Sequence, residues 1–339
     1  MVKTWQSGRL LTENKIHYIP STSDHSEAKL YFLLRGVARF LLLCTKGCRG
    51  IYLHTASYNS FYRKCIFLII AILLHKRVIL HIHPSYFVTF FSNLTGSKKA
   101  FCLSLLHRVD SFVVLTQAMS NDIKRLFPRK RVYVLNNPVN LKDMTNKRGV
   151  ERASNTLLYL GWYVREKGVY ELVDAVGKLL EKGRNVEVDF YGTKEANILR
   201  KYVYEKGLNN KIRVNAWADD DTRLEALLTS CMLILPSHTE GVPNVILEAM
   251  ATKTPIVSTS VGGLGEILQD NWNAIIADVN NVRDLSEKIE KCLDDEALRR
   301  TIAGNAYEYV KKYHDIEVIR KQFRKIVRII ETDVVVREP

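Results

Sequence analysis

At 339 residues, 47% hydrophobic and 25% charged, the chain has the make-up of a folded protein long enough for two domains, each with its own core. That excludes a disordered or low-complexity chain. The six cysteines, Cys44, Cys48, Cys65, Cys102, Cys231 and Cys292, show no paired C-x2-C spacing, which argues against a metal finger and for reduced, mostly buried thiols in the cytosol.

The net charge of +14 is uneven. Residues 1–150 hold 23 Lys and Arg against 6 Asp and Glu, a balance of +17, whereas residues 151–339 hold 27 against 30, a balance of −3. A basic half suits a polyanion, nucleic acid or the acidic inner face of a membrane, or else is a solvated face with no partner. No recognition-helix, RNP-like or zinc-finger pattern is present, so no nucleic acid is expected and the membrane surface is the favoured partner.

In chain order, the start "MVKTWQSGRLL" has no apolar signal region, so no export is expected. Strands are expected at "KIHYIP", "GIYLHTA", "RVILHIH", "SFVVLT" and "RVYVLNN", with helices near 26–45, 59–75, 98–107 and 117–126 between them. The run "CIFLIIAILL", residues 65–74, is about half of the roughly 20 residues a spanning helix needs and reads as a buried core helix. Polar, turn-forming residues over 136–155 mark the domain boundary, giving domains over 1–145 and 146–315. The second domain repeats the alternation, with strands at "TLLYLGW", "VEVDFYG", "KIRVNAW", "CMLILPS", "TPIVST" and "NAIIADV". Residues 316–339 form a helix whose stripe Ile316, Ile319, Phe323, Ile326, Val327 and Ile330 is expected to pack back on the amino-terminal domain.

Alternating strands and helices imply an α/β protein of two doubly wound, Rossmann-like domains, with ligands beyond the carboxyl ends of the strands in a cleft. Chemistry-bearing residues fall at those ends. Glu240, Gly241, Val242 and Pro243 follow the strand "CMLILPS", and Glu248 lies in the second turn of the helix after them. A helix start with a glycine beside it suits phosphate, whereas the carboxylates suit sugar or ribose hydroxyls. Glu187 and Glu195 share the spacing of Glu240 and Glu248 but lack the loop and helix start, so spacing alone carries nothing. Arg165 and Lys167 in "LGWYVREKGVYELV" could neutralise a diphosphate, or be ordinary exposed loop cations. Gly262, Gly263 and Gly265 in "STSVGGLGE" could cradle phosphate, or form a plain turn. His81 and His83 end the strand "RVILHIH" on one side of it, where a histidine is either packed or catalytic.

Together these stretches resemble the retaining nucleotide-sugar glycosyltransferases of family 4, which have the GT-B fold. The resemblance covers nearly the whole chain. It is strongest over 231–268, where "LPSHTEGVPNVILEAMATKTPIVSTSVGGLGEIL" follows the family's extended run, and it extends through "GWYVREKGVYELV", "HTASYNSFYRK" and "HIHPSYFVTFF" to members that build bacterial exopolysaccharide or O-antigen units. It implies that Glu248 binds the ribose hydroxyls, that Glu240, Gly241 and Val242 lie at the donor, and that Arg165 and Lys167 hold the diphosphate. It further implies that His83 contacts the reacting sugar, that Trp217 lies near the base, and that Gly161, Gly262 and Gly263 line the donor site. No cofactor and no essential metal is implied, and the substrates are a nucleotide sugar and a polyprenyl-linked glycan at the inner face of the cell membrane. Trp162 stands where the family usually has Arg, and Pro84 where it has Gly. The chain begins within what resembles the family's first helix, so the amino-terminal sheet is expected to lack its first strand. A GT-B nucleotide-sugar epimerase and a non-catalytic scaffold of a polysaccharide assembly complex are the competing readings.

Overall fold

The computed structural model describes residues 16–20, 29–48, 50–56, 58–84, 86–145 and 152–332. The chain divides into two compact units, one formed by the chain through Asn136 together with the segment from Glu317 onward, the other by Asn137–Ile316.

The first unit holds a four-stranded, all-parallel sheet in the order β1 (Gly50–Thr55), β2 (Arg77–Ile82), β3 (Ser111–Val114) and β4 (Arg131–Val134). Parallel neighbours need crossovers, supplied by the helix Asn59–Leu73, the helices Phe87–Ser92 and Gly96–His107, and the helix Gln117–Leu126. The middle strands are buried on both faces, which is why "VILHI" and "SFVV" read as continuous rather than alternating apolar runs. The "CIFLIIAILL" helix turns Phe61, Cys65, Phe67, Leu68 and Ala71 into this core and leaves Tyr62, Ile66 and Leu73 exposed. Among the described residues no helix is long and apolar enough to cross a membrane.

The strand expected at "KIHYIP" is not formed: residues 16–20 have no regular structure. Pro20 has no N–H to give to a ladder, and a short alternating run becomes a strand only when a neighbour pairs with it. Along the helix Ile316–Thr332, Ile316, Ile319, Phe323 and Ile326 are buried and Val327 half-buried, while the side chain of Ile330 lies outside the described residues. The Phe323 ring meets Tyr52 of β1 edge-on at 5.3 Å.

The second unit has six parallel strands in the order β10 (Ile275–Ala277), β9 (Ile256–Thr259), β8 (Met232–Leu235), β5 (Thr156–Tyr163), β6 (Glu187–Lys194) and β7 (Ile212–Asn215). The first three in sequence run outward one way and the last three the other, so strand order reverses between β5 and β8, which pair at Leu157–Met232 and Leu158–Leu233. Ligands of such sheets bind outside the carboxyl ends of the strands at that reversal. The helix Val169–Glu181 covers the sheet through Val169, Leu172, Val173, Val176 and Leu179, an i, i+3, i+4, i+7 stripe in which each large side chain contributes about 1.5–3 kcal/mol by leaving water. Both ends of the unit are strapped together: Val139 N–H donates to His314 O at 2.8 Å and Ile316 N–H to Val139 O at 2.9 Å. The fold is α/β with two parallel sheets, as the alternation of apolar runs implies.

Candidate active site

The site of the second unit grows from the two loops at the strand reversal. After β5 the chain makes one 3-10 turn, Arg165–Lys167, and passes through Gly168 at φ 69 before the helix Val169–Glu181. A Cβ on Gly168 would lie 2.1 Å from Pro236 O, so only glycine lets the loop after β5 touch the loop after β8. That contact brings Lys167 Nζ to 2.6 Å from Glu240 Oε1, an ion pair with a carboxylate side chain only 8% exposed. Ser237 Oγ donates to the same Oε1 at 2.8 Å, and Lys167 Nζ also reaches Thr239 O at 3.5 Å. His238 is placed by its backbone N–H on Glu166 O at 2.9 Å, and its Nε2 stands 3.2 Å from Glu171 Oε1.

The double glycine after β9 closes on this loop from the other side. Gly263 N–H donates to Glu240 O at 3.3 Å, and a Cβ there would meet Gly241 O at 2.4 Å; Gly262 has φ 53. Asn137 Nδ2 donates to Val242 O at 2.8 Å, so the loop is fixed by backbone contacts on two sides. Pro243 then opens the helix Asn244–Ala251, as a residue without an N–H can. One turn on, Glu248 Oε2 accepts from Arg223 Nε at 2.8 Å, while Arg223 Nη2 also holds Asp220 Oδ1 at 3.0 Å. Burial raises the Glu248 carboxyl above its ordinary range, against the opposing pull of Arg223.

Not every expected partner joins this cluster. Arg165 lays its guanidinium over the Tyr170 ring at 5.3 Å and lines a separate cavity of about 370 Å³ with Tyr170, Glu171, Asp174 and Tyr202. Gly161 lies within β5, where a Cβ would meet the Tyr159 hydroxyl at 2.7 Å; that hydroxyl donates to Trp162 O at 2.8 Å. Trp162 is half exposed with Lys194 Nζ 5.0 Å over its ring, and Trp217 is exposed just past β7. Gly265 is exposed within the short helix Leu264–Ile267, where a Cβ would stand 3.2 Å from Ser260 Oγ. The lookalike Glu187 is bound to Arg213 Nη1 at 2.7 Å across β6 and β7, a sheet-surface ion pair rather than a site.

In the first unit the ends of β1 and β2 carry three imidazoles. Tyr52 and His54 on β1 share a face, as do His81 and His83 on β2 and just past it. Tyr52 Oη lies 2.9 Å from His81 Nδ1, and His54 Nδ1 lies 2.8 Å from His83 Nε2. The His81 and His83 rings are 4.1 Å apart, and His83 N–H donates to Thr55 O at 3.1 Å. Burial holds all three neutral: it lowers His54 to about 4, with Lys64 adding to the effect, and puts His81 and His83 well below the ordinary range. One nitrogen from each ring lies within 4.8 Å of the others, close enough to consider a divalent ion.

Residues 142–309 match the family model described as "Glycosyl transferases group 1". The chain belongs to that family. Among curated relatives, this group 1 chain is 29% identical over 208 residues to the uncharacterized glycosyltransferase MJ1178 of Methanocaldococcus jannaschii, covering 60% of this chain and 55% of that protein. It is 26% identical over 171 residues to the capsular polysaccharide biosynthesis glycosyltransferase CapM of Staphylococcus aureus, covering 50% and 44%. The chain thus spans about half the length of the curated relatives it matches. In fold it is similar to sucrose-phosphate synthase of Thermosynechococcus elongatus (TM-score 0.77, 17% identity, covering 97% of this chain and 93% of that one). It is likewise similar to Anabaena Alr3699/HepE in complex with UDP-glucose (TM-score 0.73, 17% identity, covering 94% and 88%). The architecture is that of the GT-B group.

Four features of this group 1 chain escape the sequence reading: Ser237 on Glu240, Arg223 on Glu248, Asn137 on Val242, and His54 on His83. The last had a visible signal, because "YLH" and "LHIH" end adjacent parallel strands whose register sets His54 beside His81.

Proposed function

We propose that the protein is a retaining glycosyltransferase that moves a hexose-type sugar from a UDP- or GDP-linked donor to a polyprenyl-linked glycan in cell-surface polysaccharide biosynthesis. The observation that carries this reading is the Lys167–Glu240–Ser237 cluster at the strand reversal, with the Gly262–Gly263 turn against it. A carboxylate repels phosphate, so Glu240 and Glu248 take hydroxyls of the sugar and the ribose. Lys167 and the amides near Gly241, Val242, Gly262 and Gly263 take the diphosphate, and Arg165 joins them on leaving the Tyr170 ring. Glu240 holds the Lys167 ammonium; an arriving diphosphate draws that cation and frees the carboxylate for a sugar hydroxyl. His83 contacts the reacting sugar and Trp217 lies near the base.

The bond from the anomeric carbon to the leaving phosphate breaks, and the bond to the acceptor oxygen forms on the same face. The acceptor proton passes to the leaving phosphate, whose charge the cations and amides stabilise. No protein nucleophile and no metal is required. The +17 half supports peripheral docking on the acidic inner face of the membrane. Similarity to a capsular polysaccharide biosynthesis glycosyltransferase supports a role in polysaccharide biosynthesis.

The test incubates purified protein with UDP- and GDP-sugars carrying radiolabelled sugar and a membrane lipid extract. Label moving to the lipid fraction with matching nucleotide release is the expected result. Conversion of donor without acceptor would indicate an epimerase, and absence of donor binding by calorimetry a scaffold.

A further inference from the structure

Between residues 28 and 109 the chain has 12 Lys and Arg and no Asp or Glu. A solvated face ordinarily mixes both signs, so a stretch of one sign sets up a field suited to an anionic partner. The same stretch carries the exposed aliphatic surface. Of the eight leucines and isoleucines that stand exposed among the described residues, seven lie between Leu30 and Leu74, and the eighth is Ile198.

Four of the seven are on the helix Lys29–Thr45, which is apolar on both sides. Its inner side turns in Gly36, Phe40 and Cys44, spaced four apart, with the Phe40 ring edge-on to Phe67 of the helix Asn59–Leu73 at 5.3 Å. Its outer side carries Leu30, Leu34, Leu41 and Leu42, within about 120° of arc at 3.6 residues per turn. Leu34 is 61% and Leu42 53% exposed, and the exposed Arg35 and Arg39 border the stripe on the Leu42 side. A helix apolar all round is ordinarily buried all round; here one face is packed and the other faces out. The neighbouring helix Asn59–Leu73 leaves Tyr62, Ile66 and Leu73 exposed as well.

Charge decides what meets this face. A second copy would set arginine against arginine, and a nucleic acid would leave the leucines in water. An acidic bilayer suits both kinds of side chain: leucines enter the boundary between headgroups and acyl chains, and arginines at the border reach the headgroups. We propose that the outer face of the helix Lys29–Thr45 is the membrane-docking surface of the first unit, lying flat on an anionic bilayer with Leu34 and Leu42 inserted and Arg35 and Arg39 on lipid phosphates. This rests on the reading that the protein docks at an acidic membrane, and it replaces diffuse charge attraction with insertion of one helix.

The test sediments the full-length protein with vesicles of phosphatidylcholine, alone or mixed with phosphatidylglycerol. It needs no sugar donor, so its outcome is separate from that of the transfer assay. The parent sediments with the acidic vesicles and not with the neutral ones. Leu34→Ser combined with Leu42→Ser weakens partitioning roughly ten-fold, at low salt and at about 0.5 M salt alike. Arg35→Gln combined with Arg39→Gln weakens it roughly 30-fold at low salt and far less at about 0.5 M, where the headgroup attraction is screened. All four side chains are exposed, so both variants melt with the parent; if the leucine variant melts lower, the arginine variant decides. Unchanged binding by a leucine or arginine variant that melts with the parent would overturn the proposal and leave peripheral docking standing. A parent that binds no acidic vesicle would overturn both. A dimer in sedimentation equilibrium that the leucine variant dissolves, with vesicle binding retained, would assign the face to a second copy and overturn the proposal.

Discussion

Lys167→Ala takes the cation from a nearly buried carboxylate. At 2.6 Å and an effective permittivity near 20, the pair attracts by about 6 kcal/mol before desolvation is charged against it. Removing one partner of a buried pair costs about 3–5 kcal/mol, most of it from the stranded charge. Here Lys167 is 21% exposed and Ser237 still donates to Glu240 at 2.8 Å, which brings the expected loss down to about 2 kcal/mol. For a unit the size of Asn137–Ile316 that is a fall of roughly 4–8 °C in the unfolding midpoint, read by calorimetry. If the loss comes from the stranded carboxylate, adding Glu240→Gln to Lys167→Ala restores stability, so the double variant melts above the single one. A double variant no more stable than Lys167→Ala, or a single variant that melts with the parent, would refute this reasoning.

Gly168→Ala and Gly183→Ala both place a side chain at positive φ, 69 and 79, but only the first drives Cβ into backbone, at Pro236 O. Thermal unfolding should therefore show a loss of roughly 1 kcal/mol for Gly183→Ala and roughly 3 kcal/mol for Gly168→Ala, the excess arising from overpacking. The Glu248 carboxyl is raised by burial, so the folded parent binds a proton more readily than the unfolded chain and gains stability as pH falls through the acid range. Melting curves of Glu248→Gln, which lacks that proton, should shift in the parent's disfavour at pH 7 relative to pH 4, while the variant binds nucleotide sugar more weakly. His314 is buried with Nδ1 on Asn137 O at 2.9 Å and lowered to about 4, so its contribution, about 3 kcal/mol from a shift of that size, is lost as pH falls from about 6.5 toward 4. Denaturant unfolding of His314→Asn should show a flatter pH response across that window.

The strand and helix order was legible where strands are buried on both faces. "LLYL", "MLIL" and "PIVST" could not sit anywhere but inside a parallel sheet, and the three strands β5, β8 and β9 stand where those three runs lie. "KIHYIP" looked equally strand-like over its few residues, but pairing is a property of a neighbour, not of the segment. At the site, the loop glycines announced themselves because a missing Cβ is the one local trace of a close backbone approach. What joins across the loops did not. Lys167 meets Glu240 because strand order places their loops together, Arg223 meets Glu248 because the helices Asp220–Thr229 and Asn244–Ala251 lie side by side, and the direction of the Arg165 side chain toward Tyr170 is decided by packing that no motif records. That Glu187 lies within a strand, while Glu240 precedes a helix start and Glu248 lies in that helix, was legible from the elements around them. The arginine that each of Glu187 and Glu248 holds was not.

The central claim is that the loops after β5 and β8 hold a sugar nucleotide for transfer with retention. The most direct measurement follows the anomeric configuration of the labelled sugar from donor to lipid-linked product by NMR, for the parent and for Glu240→Gln. The account predicts transfer by the parent with the donor's configuration kept, and a strong loss of transfer in Glu240→Gln. A product of inverted configuration, or unimpaired transfer by Glu240→Gln, would contradict it.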